Sequence, residues 1–252
     1  MEDHPRRIVS LVPSLTELVW WLGAGERLVG RTRFCVEPAG QIERVATVGG
    51  TKDPNVAAIA GLAPDLVIAN REENRKEDIE ALQAAGFDVL LTDPCTVAEA
   101  AETIREIGVL LEVENAAAAL ADELAALAQN APPPEVRVFV PIWRMPLMGL
   151  GAATFGDDVL RCAGAANVLA EHSRYPEVSA DEIAALQPDL VLLPDEPFRF
   201  TERHVPEFSG IAPAKVIDGQ LLFWYGPRTA AAIRELRAIL GTPEDREVPT
   251  LP

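Results

Sequence analysis

The chain has 252 residues, 48% of them hydrophobic, and its 39 acidic residues outnumber its 22 basic ones for a net charge of −17. This length and this apolar fraction suffice for one large or two small α/β domains. So negative a surface repels phosphate backbones and anionic lipid, which argues against nucleic-acid binding and against binding to a membrane surface. The three cysteines are scattered without a CxxC spacing, so we expect no disulfide framework and mainly buried thiols.

The N-terminal sequence MEDHPRRIVSLVPS does not resemble a signal peptide. It has acidic residues where the positive region of a leader should be, and its short apolar stretch predicts a strand. The longest other apolar run, from Leu18 to Ala24, is too short to cross a bilayer, so no membrane insertion is expected. As written, the sequence predicts a cytoplasmic protein, or an extracytoplasmic one if a leader has been removed.

The first third of the sequence alternates apolar strands with helices. We predict strands over residues 8–12, 28–30, 45–48, 66–69 and 88–91, and helices over 14–22, 56–62 and 77–85. Ser14 and Glu17 have the spacing of a capping box at the start of the first helix. Strands that alternate with helices predict a doubly wound parallel sheet.

Residues 97–130 show no strand signal, only Ala, Leu and Glu at helical spacing. We predict a short helix that begins after Thr96, a break at Gly108, and then a long helix. The long helix would run for roughly 18 residues from Val113 and span about 27 Å. A stiff helix of this length would be a spacer between two lobes.

The last part of the sequence returns to the α/β pattern. We predict strands over 137–142, 190–193, 215–217 and 221–223, and helices over 157–163, 180–186 and 229–240. Ser179 and Glu182 form a further capping-box pattern. The predicted organisation is therefore an N-terminal α/β lobe (1–96), linking helices (97–131) and a C-terminal α/β lobe (132–252).

A repeated segment indicates that the two lobes are related. Residues 59–67 read IAGLAPDLV and residues 183–191 read IAALQPDLV, with seven of nine positions identical at an offset of 124. An offset this long predicts two similar lobes rather than a solenoid. Two lobes that face each other leave a crevice, and crevices are where ligands bind.

The order of these motifs resembles a known family. PSLTEL after the first strand, VGGTKDPNVAAIAGLAPDLVIAN in the first lobe and YPEVSADEIAALQPDLVLL in the second are similar to the helical-backbone (class III) substrate-binding proteins of metal-chelate ABC importers. The segments RTRFCVEP, RVFVPIW, RYPEVS and WYGPR are most similar to the cobalamin-binding branch. The resemblance implies two Rossmann-like lobes with parallel sheets, joined by one long backbone helix, and a ligand such as cobalamin, haem or a ferric siderophore.

The sequence departs from this family at a surface that contacts the permease. Members of the family usually carry an acidic residue on each lobe, near the start of the helix that precedes the PDLV strand. In the second lobe Asp181, with Glu182 adjacent, holds that position, but in the first lobe the matching residue is Ala57. The missing carboxylate puts the partnership with an ABC permease in doubt.

The candidate ligand-binding residues follow the predicted strands, because ligands of parallel α/β sheets sit beyond the carboxyl ends of the strands. Aromatic planes suit the face of a corrin or porphyrin, and arginines suit carboxylates, phosphates or amide oxygens. The first lobe offers Pro13, Ser14, Arg33, Phe34, Gly50, Thr51, Asn70 and Arg71. The second lobe offers Trp143, Arg144, Met148, Tyr175, Glu196, Phe198, Arg199, Trp224, Tyr225 and Arg228.

The sequence does not predict a metal site built by the protein or a covalent cofactor. None of its three histidines is spaced with a second ligand, and we expect His172 and His204 on the surface. The glycines of residues 149–156 do not fit a dinucleotide fingerprint, and Cys35 is expected to be a buried thiol. A metal would therefore arrive inside a chelate.

These features together predict a monomeric, non-enzymatic receptor that captures a metal chelate, a cobalamin-like corrinoid before haem or a ferric siderophore, for an ABC importer. Two alternatives stay open. One is a leaderless cytoplasmic carrier or sensor of corrinoids or other chelates that has no permease partner. The other is a cytoplasmic enzyme on the same two-lobed architecture, since fold alone does not decide function.

Overall fold

A computed structural model of the chain, which describes residues 4–241, has an α/β fold made of two compact units. The first unit comprises the chain up to Pro94, together with Ala98–Leu124 and Trp224–Pro227. The second comprises Cys95–Val97, Ala125–Phe223 and the chain from Arg228 onward. Each unit contains a parallel sheet, as the sequence predicts.

The first unit contains a five-stranded sheet in the order β3-β2-β1-β4-β5, and every neighbouring pair of strands is parallel. Its elements in chain order are β1 (Ile8–Ser10), α1 (Pro13–Val19), β2 (Leu28–Arg31), β3 (Ala46–Thr47), α2 (Val56–Gly61), β4 (Leu66–Asn70), α3 (Lys76–Ala84) and β5 (Val89–Thr92). All five residues of β4 are buried, as expected of a strand covered on both faces. Helices α2 and α3 contribute Ile59, Ile79 and Leu82 to the core beside it.

Two helices, α4 (Val97–Leu110) and α5 (Glu114–Gln129), follow the first sheet. Helix α4 continues through Gly108, so the predicted break at that residue is wrong. Gly108 instead permits close packing against α5, because a Cβ there would overlap the Cβ of Ala117. With 16 residues α5 is about 24 Å long.

The second unit contains a four-stranded parallel sheet in the order β11-β10-β6-β9 and an antiparallel pair, β7-β8. Its elements in chain order are β6 (Val136–Phe139), β7 (Pro141–Trp143), β8 (Met148–Gly149), α6 (Phe155–Ala163), β9 (Ala165–Asn167), α7 (Ala180–Ala185), β10 (Leu190–Pro194), β11 (Ala214–Ile217), α8 (Gln220–Phe223) and α9 (Thr229–Leu240). A 3₁₀ segment, Glu202–Phe208, lies between β10 and β11. None of the helices within residues 4–241 is long and apolar enough to cross a membrane.

Of the two capping boxes predicted at helix starts, the structure confirms one and contradicts the other. The Ser179–Glu182 capping box is confirmed, with both reciprocal hydrogen bonds present at the start of α7. The Ser14–Glu17 box is wrong, because α1 begins one residue earlier at Pro13 and Val12 is its N-cap. Residues 221–223, predicted as a strand, belong to the short helix α8.

The two compact units group some segments differently from the predicted three-part division, which stays a prediction. Residues 98–124, predicted as part of a separate linker, group with the first unit, and so do Trp224–Pro227, predicted in the C-terminal lobe. The reason lies in packing that the local sequence does not reveal. The hydroxyl of Tyr225 forms a hydrogen bond to Thr92 at the end of β5, a residue 133 positions earlier.

Candidate functional site

In the first unit, a buried polar network lies at the carboxyl ends of β4 and β5. The Tyr225 hydroxyl is 2.6 Å from Thr92 Oγ1 and accepts from Asn70 Nδ2 at 3.4 Å. Thr92 donates its own proton to the Ala69 carbonyl, so Tyr225 is the donor to Thr92. Burial raises the pKa of Tyr225. Both Tyr225 and the adjacent Trp224 are buried, so in this structure they are packing groups rather than open aromatic faces.

A second asparagine joins the loops that follow two strands of the same sheet. Asn74 Oδ1 accepts from the backbone N–H of Asn70 at 2.9 Å, and its Nδ2 donates to the carbonyl of Thr51 at 2.9 Å. The loop after β3 is thereby tied to the loop after β4. Beside it, burial raises the pKa of Glu73. Asn74 could not be identified from the local sequence, because its role depends on a contact with a residue 23 positions away.

Arg33 and Phe34 lie together on the loop after β2. The Phe34 side chain is exposed (50%), and the Arg33 guanidinium carbon lies 4.9 Å from its ring centroid. Asp53 accepts two hydrogen bonds from Arg33, at 3.0 and 3.1 Å. Gly50 makes room for this pair, because a Cβ at that position would lie 2.8 Å from the Arg33 guanidinium carbon.

The remaining candidates of the first unit occupy the same edge of the sheet. Arg71 follows β4 and pairs with Asp93 at 2.8 Å. Pro13 is half-buried at the first position of α1, and Ser14 is buried behind it. Thus the exposed groups here are Arg33, Phe34 and Arg71, while Ser14, Gly50, Thr51 and Asn70 support the loops.

In the second unit, an aromatic cluster carries an exposed ring, that of Trp143. Trp143 is 43% exposed at the end of β7 and meets Phe198 edge-on at a centroid distance of 5.6 Å. Phe198 in turn packs on the buried Phe200 at 4.8 Å. The expectation of a surface His204 is wrong: its ring is buried against Phe198 and Phe200, and its Nδ1 accepts from the Thr201 backbone N–H at 2.9 Å.

Arg144, adjacent to Trp143, is held by a carboxylate. Its Nε and Nη2 donate to the two carboxylate oxygens of Glu207, at 2.9 and 3.1 Å. The hydrogen bonds from Arg144 lower the pKa of Glu207, and the same pairing raises the pKa of Arg144. Arg144 is predicted from the sequence, but Glu207 is not, because it is 63 residues away in the chain.

The other candidates of the second unit lie in several separate segments, with Glu196 and Arg199 together on the loop after β10. Tyr175, Met148 and Glu196 are half-buried, and Arg199 is exposed with no carboxylate partner among the described residues. Arg228 donates to the side-chain oxygen of Gln220 at 2.9 Å. These residues stay predicted ligand contacts, because the hydrogen bonds and ion pairs described for them do not bring them together.

The predicted permease-docking residues are both exposed, but only one carboxylate is available. The carboxylate of Glu182 accepts hydrogen bonds from the Ser179 backbone N–H and hydroxyl, at 2.7 and 2.8 Å, and these bonds lower its pKa. Asp181 lies beside it at the exposed start of α7. In the first unit Ala57 is exposed in the first turn of α2, a turn without any acidic residue.

Within the described part of the chain, no group of three or more His, Cys, Asp or Glu side chains is arranged to hold a metal ion. The three cysteines are not in disulfides, and Cys35 is buried as predicted. Cys35 contacts the hydroxyls of Thr16 and Thr32, and burial raises the pKa of its thiol.

Comparison with known proteins decides the family. The model of a family described as periplasmic binding protein matches residues 8–203. The chain belongs to this family. A vitamin B12-binding protein from Salmonella typhimurium (strain LT2) is 32% identical over 196 residues, which cover 74% of this chain and 71% of the relative.

Solved structures of the same kind share the fold over almost the whole chain. The periplasmic vitamin B12-binding protein of Vibrio cholerae has a TM-score of 0.78 at 23% identity, covering 94% of this chain and 96% of its own. A periplasmic heme-binding protein from Pseudomonas aeruginosa has a TM-score of 0.75 at 26% identity, covering 94% and 92%. The predicted family and fold class are confirmed, and the family is one of binding proteins rather than enzymes.

Proposed function

We propose that this chain is the substrate-binding component of an importer and that it captures a cobalamin-like corrinoid. The observation that carries the proposal is the similarity to vitamin B12-binding proteins over most of the chain. An exposed aromatic side chain beside an arginine in each unit supports it. The first unit presents Phe34 with Arg33, and the second presents Trp143 with Arg144. Exposed aromatic rings are suited to the flat face of a macrocycle, and guanidinium N–H groups to the oxygens at its rim.

Calorimetric titration tests the proposal directly. Cyanocobalamin is titrated into the protein, with haem and a ferric siderophore as comparison ligands. We expect 1:1 binding of cyanocobalamin below about 1 μM, equivalent to about −8 kcal/mol, and weaker binding of the other two. Tighter binding of haem than of cyanocobalamin would contradict the corrinoid assignment, and no heat with any of the three would contradict the receptor function.

A matched pair of tryptophan substitutions locates the binding surface. Trp143 and Trp21 are similarly exposed, at 43% and 49%, but Trp21 lies beyond the C-terminal end of α1, away from the carboxyl edge of the sheet. We expect Trp143→Leu to weaken cyanocobalamin binding by about 1–2 kcal/mol, or about five- to thirtyfold, through lost apolar and aromatic contact. Trp21→Leu should leave the dissociation constant unchanged, and equal effects of the two substitutions would contradict the site.

Ala57 favours a second candidate function, a corrinoid carrier or sensor that works without a permease. The two functions differ in how the loaded protein acts on a cobalamin-importer permease in proteoliposomes. A receptor should stimulate ATP hydrolysis, less strongly after Asp181→Asn and more strongly after Ala57→Glu, which restores an acidic residue in the first turn of α2. A carrier should give no stimulation in any of these forms while still binding the corrinoid.

A further inference from the structure

The same three-part arrangement is present in the described residues of each unit. An exposed aromatic side chain neighbours an arginine in the sequence, and a carboxylate from a distant part of the chain binds that arginine with two hydrogen bonds. In the first unit the members are Phe34, Arg33 and Asp53, and in the second they are Trp143, Arg144 and Glu207. Neither carboxylate is close in sequence to its arginine, since the separations are 20 and 63 residues.

In each pair, the negative charge of the carboxylate balances the positive charge of the arginine. The Arg33–Asp53 contacts measure 3.0 and 3.1 Å, and the Arg144–Glu207 contacts 2.9 and 3.1 Å, so each pair has two contacts of ordinary N–H···O hydrogen-bond length. The pKa of Glu207 is lowered by its bonds to Arg144, so this carboxylate stays ionised at neutral pH. A ligand that reaches either aromatic ring therefore meets an arginine whose charge is already balanced.

Such an arginine still has hydrogen-bond donors to offer. A guanidinium has five N–H groups, about three of which remain after a bidentate pair with one carboxylate. These can donate to a neutral oxygen such as an amide carbonyl. A ligand carboxylate at the same place would gain the same hydrogen bonds but would face the side-chain carboxylate of Asp53 or Glu207 across the guanidinium, and like charges at that range repel.

We infer that Asp53 and Glu207 are specificity-determining residues, which make the protein favour a chelate whose rim carries neutral amides over one whose rim carries carboxylates. The inference rests on the proposed function and narrows its ligand class. Two other candidate arginines also have carboxylate side chains nearby. Arg71 is also paired with a carboxylate, that of Asp93, and the exposed Arg199 shares its loop with Asp195 and Glu196.

A pair of ligands of nearly equal shape tests the inference. Cyanocobalamin carries amides around the corrin, and mild hydrolysis converts one of them to a carboxylate, which gives separable monocarboxylic acids. We expect the wild-type protein to bind at least one of these acids about three- to fivefold more weakly than the amide. For an acid whose carboxylate lies beside one of the two arginines, replacing the carboxylate partner of that arginine (Asp53→Asn or Glu207→Gln) should reduce the ratio by about threefold, chiefly by tightening the binding of the acid.

The control removes a similar carboxylate elsewhere in the first unit. Asp122 pairs with Arg105 at 2.7 Å, on the linking helices, so Asp122→Asn changes the net charge by the same amount without touching either aromatic. It should leave the acid-to-amide ratio unchanged. Circular dichroism confirms that each variant is folded, and raising the salt concentration should shrink the wild-type ratio.

The possible results distinguish a failure of the proposed function from a failure of this inference. If the wild-type protein binds no corrinoid at all, the proposed function fails and this inference fails with it. If the protein binds cyanocobalamin and every acid equally, or if the ratio is the same in all variants, only the inference is overturned. A shift in Asp122→Asn as large as that in Asp53→Asn would also overturn it, because net charge rather than the local carboxylate would then set the preference.

Discussion

We expect the buried hydroxyl of Tyr225 to stabilise the folded protein. Replacing Tyr225 with phenylalanine keeps the buried ring and removes the donor to Thr92 and the acceptor of Asn70. Thr92 keeps its bond to the Ala69 carbonyl, and Asn70 keeps a 3.2 Å bond to the Thr92 carbonyl, so the loss is partial. We expect a cost of about 1–2 kcal/mol, the usual result of leaving buried groups without one partner. For a chain of this size that is a fall in Tm of about 3–6 °C.

Urea unfolding followed by far-UV circular dichroism measures this cost. A double-mutant cycle with Thr92→Val isolates the direct interaction, and we expect a coupling energy of about 1 kcal/mol. Tyr175→Phe, which removes a hydroxyl from a half-buried tyrosine, serves as the control and should cost less, because water can replace part of what is lost. Additive single substitutions in the cycle would refute the assigned hydrogen bond.

We also expect Tyr225 to make the stability of the protein fall at alkaline pH. Burial raises the pKa of Tyr225 in the folded protein above the ordinary value of 10.0. Below about pH 10 both states keep the proton, and the stabilisation is fully present. Above it the unfolded chain releases the proton first, so stability falls as the pH rises. The Tyr225→Phe variant should show a smaller loss of stability between pH 9 and about 11, and identical slopes would contradict the raised pKa.

Two further predictions concern packing and thiol chemistry. Gly108→Ala should destabilise the protein by about 1–3 kcal/mol in urea unfolding, since its Cβ would overlap that of Ala117. Gly61→Ala, whose Cβ would meet no atom within 4 Å, should be neutral or stabilising, and equal effects of the two would refute the packing argument. A disulfide reagent at pH 8 should label Cys95 first, because burial raises the pKa of Cys162 to about 11 and also raises that of the buried Cys35. Loss of the fast phase in Cys95→Ser checks this assignment, and its persistence would contradict it.

Local sequence patterns predict much of this fold because they report burial. The apolar run at β4 and its counterpart at β10 identify the two parallel sheets, and the Ser179–Glu182 spacing identifies the cap of α7. Where the pattern is short it is ambiguous. Leu221–Phe223 is apolar in either a strand or a helix, and periodicity over three residues cannot separate the two.

The candidate site is less accessible to sequence reasoning because its groups depend on distant partners. Tyr225 is predicted from the sequence as a ligand contact, yet its ring is buried and its hydroxyl forms hydrogen bonds with Thr92 and Asn70. His204 is polar by type, but the aromatic rings of Phe198 and Phe200 surround it. The arginines and exposed rings could be identified from their place after strands, whereas the carboxylates that balance the arginines could not.

The route of the chain through Trp224–Pro227 limits how the protein can be divided. This four-residue segment belongs to the first unit, although the residues on either side of it belong to the second. A fragment that ends at residue 131 would therefore lack Tyr225, and Thr92 and Asn70 would lose their hydrogen bonds to its hydroxyl. Neither unit is a continuous stretch of the gene, so expressing the halves separately, or exchanging one between relatives, requires that this short segment be supplied with the N-terminal part.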